Sequence, residues 1–258
     1  MEVTLTGRTA LITGGSKGLG YAIAERYLRS GASVVIAARG EAALQAARAR
    51  LAGHGGDRVH AVPCDVATAD GVQQLYEGAM QAFGRVDIVV NNAGVSAAKP
   101  FAEVSDQAWQ DDLDLKLFAA IRLVRLAWPQ MRQRRWGRVI NVLNVGAKAP
   151  GARSLPTSVS RAAGMALTKA LSAEGAADNI LVNALLVGKI ESDQWVRRAD
   201  ALGVPLETVL QDMAAGIPLG RVGRAEEFAA LACFLASDLA SYVTGTAVNV
   251  DGGLSPVV

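Results

Sequence analysis

The stretch TGGSKGLG, residues 13–20, sets glycines at 14, 18 and 20 around Ser16, Lys17 and Leu19. It follows an apolar run and opens a helical pattern. At such a turn the glycines have separable uses. Gly14 permits the tight turn, and Gly18 and Gly20 let a pyrophosphate approach the backbone and the helix pack on its strand. The helix start adds free N–H groups and a positive dipole end. The chemistry expected is dinucleotide binding. A ribose with a free 2′-hydroxyl would meet an acidic residue about 20 positions further on, and a 2′-phosphate would meet a cation. Here the second apolar run ends Ala37-Ala38-Arg39, without an acid. Arg39 and Lys17 favour NADP(H) over NAD(H) as cofactor; the alternative is that both are solvated surface charges.

The elements that must hold this loop alternate along the chain. TALITGG, SVVIAAR, VHAVPCDV, VDIVVNNAG, RVINVLNV, NILVNALLVG and TAVNVDGG read as strands, separated by Ala- and Leu-rich helical segments. Strands that are apolar nearly throughout are buried on both faces, as in a parallel sheet between two helix layers. The expected fold is therefore α/β: a single doubly wound Rossmann-fold domain over 1–258 with a seven-stranded parallel sheet. The run 106–135 reads as one long helix. With 258 residues, 51% hydrophobic and 19% charged, the chain can bury a sizeable core. A formal charge of +2 argues against a nucleic-acid partner, and the basic run RQRRWGR at 132–138 suits a helix C-terminus instead. No apolar run reaches the roughly 18 residues that cross a bilayer. The start shows no basic leader with a cleavage site. Cys64 and Cys233 are spaced unlike metal ligands and read as reduced thiols, and no metal site is expected. His54 and His60 flank a glycine-rich turn and read as surface loop residues. A cytoplasmic location follows as the expectation.

TGGSKGLG, CDV (64–66), NNAG (91–94), GRVINV (137–142), NILVNALLVGKIES (179–192) and TGTAVNVDGG (244–253) come in one order. In these motifs the chain resembles the short-chain dehydrogenase/reductase family over essentially its whole length. The resemblance implies that Asp65 and Val66 hold the adenine and that Asn91, Ala93 and Gly94 line the cofactor's middle. Gly188, Ile190 and Ser192 then lie beside the nicotinamide, in a segment where the family usually reads Pro-Gly and ends in Thr. In the family a Tyr-x-x-x-Lys pair begins the helical segment TSVSRAAGMALTKALSAEG, with a serine thirteen residues earlier and an asparagine in the long helix before. The tyrosine exchanges a proton with the substrate oxygen, the lysine tunes it and holds the ribose, the serine positions the substrate and the asparagine props a water. Those four positions read Thr157, Arg161, Asn144 and Lys116 here. All four differ. The following SRAAGMALTKAL aligns without a gap, and Tyr21, Tyr27, Tyr76 and Tyr242 all lie outside the segment.

A phenol near pKa 10 can be tuned toward neutrality; the aliphatic hydroxyl of Thr157 cannot, although it can donate a hydrogen bond. Arg161 is a permanent cation able to hold a ribose or an anion. Asn144 offers an amide to a developing oxyanion. Lys116 is the candidate acid or base, its pKa depressed by burial and by Arg161; the competing reading is a surface ion pair with Asp112, four residues before it. Arg153 and Lys148 add charge near the mouth of the site, for an anionic small-molecule substrate or for solvent. Residues 190–216 fall where the family places a substrate lid, with Trp195 and Met213 either closing over a ligand or packing in a core. By family analogy, a homodimer or homotetramer would form through the 107–133 and 157–175 helices, with Ala119, Leu123, Leu126 and Trp128 at the interface. Three functions fit these residues. One is an NADP(H)-dependent oxidoreductase of a small carbonyl or alcohol compound with a rewired proton donor. The second is a non-redox lyase or hydrolase, and the third a silent nucleotide-binding subunit.

Overall fold

The apolar runs form the strands Thr9–Thr13 (β1), Ser33–Ala38 (β2), Val59–Pro63 (β3), Ile88–Asn91 (β4), Gly137–Asn144 (β5), Ile180–Val187 (β6) and Ala247–Val250 (β7). All neighbours pair in parallel, in the order β3-β2-β1-β4-β5-β6-β7. The helices are Gly18–Arg29 (α1), Glu41–Gly55 (α2), Ala69–Phe83 (α3), Asp106–Leu113 (α4), Ala119–Arg134 (α5), Thr157–Gly175 (α6), Asp193–Leu202 (α7), Leu206–Ala214 (α8) and Ala225–Ala236 (α9). This is a computed structural model describing residues 2–258, apart from the side chains of Asp193, Gln194 and Arg197.

Successive side chains of a strand point to opposite faces, and the core divides accordingly. Ala10 and Ile12 of β1 pack with α1, α2 and α9, whereas Leu11 packs with α3 and α5. Both faces of the sheet are therefore sealed, and polar groups are left to its ends. From β1 the chain builds outward through β2 to β3, then returns to add β4 on the other side. The crevice at this reversal, beyond the carboxyl ends of β1 and β4, is where such sheets bind ligands.

Several local readings are refined or corrected. The run 106–135 is helical without a break from Asp106 to Arg134, as expected, but one turn of it, Asp114–Phe118, is π-helical and joins α4 to α5. Periodicity of apolar residues does not register one extra residue in a single turn. Residues 190–216, expected where the family places a substrate lid, contain α7 and α8, broken by Gly203 at φ 65° and by Pro205. Ala199, Val209, Met213, Ile217 and Val222 give that pair a small core of its own. Ala119 and Leu123, expected at an assembly face, are buried against the sheet, and Leu126 and Trp128 pack partly on the same core. His54 ends α2, and His60 lies within β3 rather than in a loop.

The basic run 132–138 is engaged residue by residue. Arg132 pairs with Asp178 at 2.7 Å, Arg135 donates to the Ala177 carbonyl at 2.8 Å, and Arg138 is buried against Asp238 at 3.3 Å. Arg134 reaches Asp87, a fully buried carboxylate at the foot of β4 that also accepts from Arg85 at 2.7 Å and from the Thr9 N–H at 2.9 Å. Both cysteines are free and buried. Among the described residues no helix is long and apolar enough to cross a membrane, and no cluster of His, Cys, Asp and Glu could hold a metal ion. Asp87→Ala strips a buried charge from two guanidinium groups and a backbone donor. We expect a loss of about 2–3 kcal/mol in unfolding free energy, read from urea denaturation.

Candidate active site

A cavity of about 390 Å³ opens at the reversal point of the sheet. Its floor is the glycine loop, contributing Gly14, Ser16, Lys17 and Leu19, and the segment after β4, contributing Ala93 and Gly94. Val142 and Asn144 close one side from β5; Gly188, Ile190, Ser192 and Trp195 close the other from the chain after β6. Gly18 lines an adjoining cavity of about 290 Å³ with Ser192 and Trp195.

The loop is held by residues that the motif does not single out. Thr13 Oγ1 accepts from the backbone N–H groups of Asn92 at 3.0 Å and Ala93 at 2.9 Å. Asn92 Nδ2 returns bonds to the carbonyls of Thr13 at 2.9 Å and Gly14 at 3.2 Å. Gly14 needs its φ of 68°, and a Cβ on Gly20 would strike the Gly14 carbonyl and the Asn92 amide. The helix thus starts flush against its strand. Gly18, at φ 56°, has open space where a Cβ would lie. A backbone cradle at a helix N-terminus, with room left above it, fits a pyrophosphate.

Several expected contacts lie elsewhere. Arg39 is exposed just past β2, outside the cavity. Asp65 and Val66 follow β3 and do not line it either; Asp65 Oδ1 accepts from the Ala67 N–H at 3.0 Å. Asn91 turns to Asn141 at 2.8 Å, and Asn141 reaches Thr168 at 2.8 Å, which ties β4, β5 and α6 together. Met213 belongs to the core of the α7–α8 pair, so of the two candidates for closure only Trp195 faces the cavity, its indole N–H on the Ile190 carbonyl at 2.7 Å. Arg153 is exposed in the preceding loop at φ 60°, and Lys148 is spent on the Ala247 carbonyl at 2.6 Å.

Three of the four family positions, Asn144, Thr157 and Arg161, face the cavity; Lys116 stands behind Thr157 and does not. Its ammonium donates to Thr157 Oγ1 at 3.0 Å and to Asp112 Oδ1. The expected ion pair with Asp112 therefore exists, but it is buried rather than at the surface: the two side chains are 1% and 2% exposed. Ser160 Oγ donates to the other carboxylate oxygen at 2.6 Å. Burial pushes the Lys116 ammonium below the ordinary lysine range; Asp112 opposes that shift, and Arg161 adds to it.

Thr157 Oγ1 has a second donor, the Ala97 N–H at 3.1 Å. A hydroxyl has two acceptor sites and one proton. With Lys116 and Ala97 on the oxygen, the proton is left to point at whatever occupies the cavity. Arg161 donates to the Val142 carbonyl at 2.8 Å, and its guanidinium lies over Gly94, where a Cβ would come within 2.5 Å of Nη2. Burial pushes Arg161 down to about 10, against the pull of Asp112, which leaves it charged at neutral pH. Asn144 Oδ1 and Arg161 Nε are buried without a partner among the described residues. One acceptor and one donor are thus held ready for a polar ligand.

Thr13, Asn92, Asp112 and Ser160 were not in the expected site. Thr13 and Asn92 carry no signal beyond adjacency to the glycine loop and a place in NNAG. Asp112 was visible as the i−4 partner of Lys116, and Ser160 only as the residue before Arg161.

A family model described as enoyl-(acyl carrier protein) reductase matches residues 14–255. The 3-oxoacyl-(acyl-carrier-protein) reductase FabG of Aquifex aeolicus is 32% identical over 254 residues, covering 98% of this chain and 100% of that protein. The chain belongs to the short-chain dehydrogenase/reductase family. Two solved members of that family are also similar. L-sorbose reductase from Gluconobacter frateurii, complexed with NADPH and L-sorbose, superposes with a TM-score of 0.96 at 36% identity, covering 100% of both chains. An NADPH-bound short-chain oxidoreductase from Pseudomonas aeruginosa, described as containing an atypical catalytic center, gives 0.92 at 36% identity over 99% of both chains. These short-chain dehydrogenase/reductase relatives span the whole sheet and both helix layers.

Thr13→Val keeps the shape of the side chain and removes the acceptor of two backbone donors. Each stranded donor costs about 1–3 kcal/mol. We expect lower stability in urea and at least a tenfold weaker dinucleotide, read by calorimetry.

Proposed function

We propose that the protein is an NADP(H)-dependent oxidoreductase of a small carbonyl or alcohol compound, in which Thr157 meets the substrate oxygen and Lys116 supplies the proton from behind. One observation carries this reading: Thr157 Oγ1 accepts from both Lys116 and the Ala97 N–H, so its own proton is free to be given to the cavity. In this reading Thr157 stands where the family has its phenol, Arg161 holds the ribose from the lysine position, and Lys116, at the asparagine position, supplies the proton.

NADPH, when bound, supplies the hydride that goes to the carbonyl carbon. As negative charge grows on the substrate oxygen, Thr157 gives it a proton and takes one from Lys116. A threonine alkoxide, which water-like hydroxyls form only at great cost, never has to exist. Before the transfer Lys116 and Arg161 share one carboxylate, Asp112; afterwards Lys116 is neutral and Asp112 balances Arg161 alone. Relief of that excess positive charge favours giving up the proton. The Asn144 amide stands on the same wall to steady the oxygen. Oxidation of an alcohol runs the same path backwards, with neutral Lys116 as the final acceptor.

Gly14, Ser16, Lys17, Gly18, Leu19 and Gly20 would hold the phosphates, with Arg39 and Lys17 toward the 2′-phosphate; Asp65 and Val66 would hold the adenine. Ala93, Gly94, Arg161, Gly188, Ile190 and Ser192 would flank the ribose and nicotinamide. The two NADPH-bound relatives support this choice of cofactor, and one of them is described as pairing NADPH with an atypical catalytic center. Residues 190–216 would act as the lid, with Trp195 as its contact. Phe118 and Val159, exposed where the π turn and α6 run together, would take part in self-assembly.

Arg39→Ala should weaken NADPH about tenfold and leave NADH unchanged, read by titration of nicotinamide fluorescence. On a panel of ketones and hydroxyketones, Thr157→Ser should keep turnover, while Thr157→Val should lose about 10² to 10⁴ in kcat, the usual worth of general acid catalysis. Reduction needs protonated Lys116, so kcat should fall as pH rises through the lowered Lys116 pKa, and Lys116→Met should abolish that limb. Turnover that leaves NADPH unoxidised would instead favour the non-redox reading.

A further inference from the structure

Asp112 has no counterpart among the family positions discussed above, and it is buried on every side. One oxygen takes the Lys116 ammonium and the other takes Ser160 Oγ at 2.6 Å. Ser160 lies one turn along α6 from Thr157, whose carbonyl it also approaches at 3.0 Å. Three segments therefore meet at a single carboxylate: α4 through Asp112, the π turn through Lys116, and α6 through Thr157, Ser160 and Arg161. The charged groups acting on Lys116 are Asp112 from α4 and Arg161 from α6, one opposing the other.

We infer that Asp112 is a positioning residue of the reaction: it fixes the Lys116 ammonium on Thr157 Oγ1 and, with Ser160 locking its free oxygen, keeps that ammonium charged until substrate calls for the proton. The inference rests on the proton path proposed above. Its logic is one of burial and charge. An ammonium 1% exposed and close to a guanidinium would shed its proton in the absence of a carboxylate. An ammonium free to rotate would also have three donors and no reason to hold Thr157. Asp112 meets both needs, and the π turn is what sets Lys116 at the height of Thr157. The pH at which the enzyme works would then be set by a residue that touches neither cofactor nor substrate.

Asp112→Asn tests this, since the amide keeps the size and can still accept from Lys116 but carries no charge. In Asp112→Asn the alkaline limb of kcat for reduction should move to lower pH by a unit or more, a tenfold loss above the limb, with the Kd for NADPH within twofold of the parent. A readout without turnover is the 13Cε NMR titration of Lys116 in the cofactor-free protein, assigned with Lys116→Met; its midpoint should fall together with the limb. Ser160→Ala should give a smaller shift in the same direction, and it serves as the test if Asp112→Asn does not fold. A limb and an NMR midpoint unmoved in the variant, beside a limb lost in Lys116→Met, would overturn this inference while the proton path stands. A parental limb in Lys116→Met would overturn both.

Discussion

A lysine ammonium with 1% of its side chain exposed must have its charge met inside the fold, and that requirement organises the centre of this protein. Asp112 meets the charge, Thr157 takes a second donor, and the arginine nearby raises the demand on both. None of these groups is adjacent in sequence except by helical turns. They meet because α4, the π turn and α6 pack against each other, with Gly94 of the segment after β4 lying beside Lys116 and Arg161. The geometry of the cavity wall is thus a by-product of neutralising something buried behind it.

The sheet imposes a complementary constraint. Its strands are sealed on both faces by apolar side chains, so hydrogen-bonding groups that are not backbone collect at the carboxyl ends. Thr13, Asn92 and Asn144 are there for that reason. Asn141 and Asn183 are exceptions within the sheet, and both are bonded: Asn141 to Asn91 and Thr168, Asn183 to the Val243 carbonyl and the Thr246 N–H.

Much of this was legible beforehand. The alternation of Val- and Ile-rich runs with Ala-rich segments fixed seven strands and their layers, because burial on both faces leaves so plain a mark. The glycine loop was legible because left-handed φ at Gly14 and Gly18 and contact at Gly20 admit little else. The reading that Arg161 and burial depress Lys116 also agrees with the structure in direction. What sequence could not give was depth. Asp112 beside Lys116 looks the same at i and i+4 whether the pair is wet or dry, and nothing in the letters distinguishes a π turn from an α turn. Met213 and Trp195 could each have closed over a ligand or packed in a core, because both are large and apolar; only the fold separates those outcomes. Arg39 was assigned from its place at the end of the second strand and Asp65 from resemblance, and both lie outside the cavity that the protein alone defines.

The arginine over Gly94 has a historical consequence. Its guanidinium fills the space above a residue without a side chain and caps the Val142 carbonyl. A lysine at that position would reach with one atom where three now sit, leaving a gap and an uncapped oxygen. A lineage that exchanged Arg161 for the family's lysine would also have had to fill the space beside Gly94 and satisfy the Val142 carbonyl by other means.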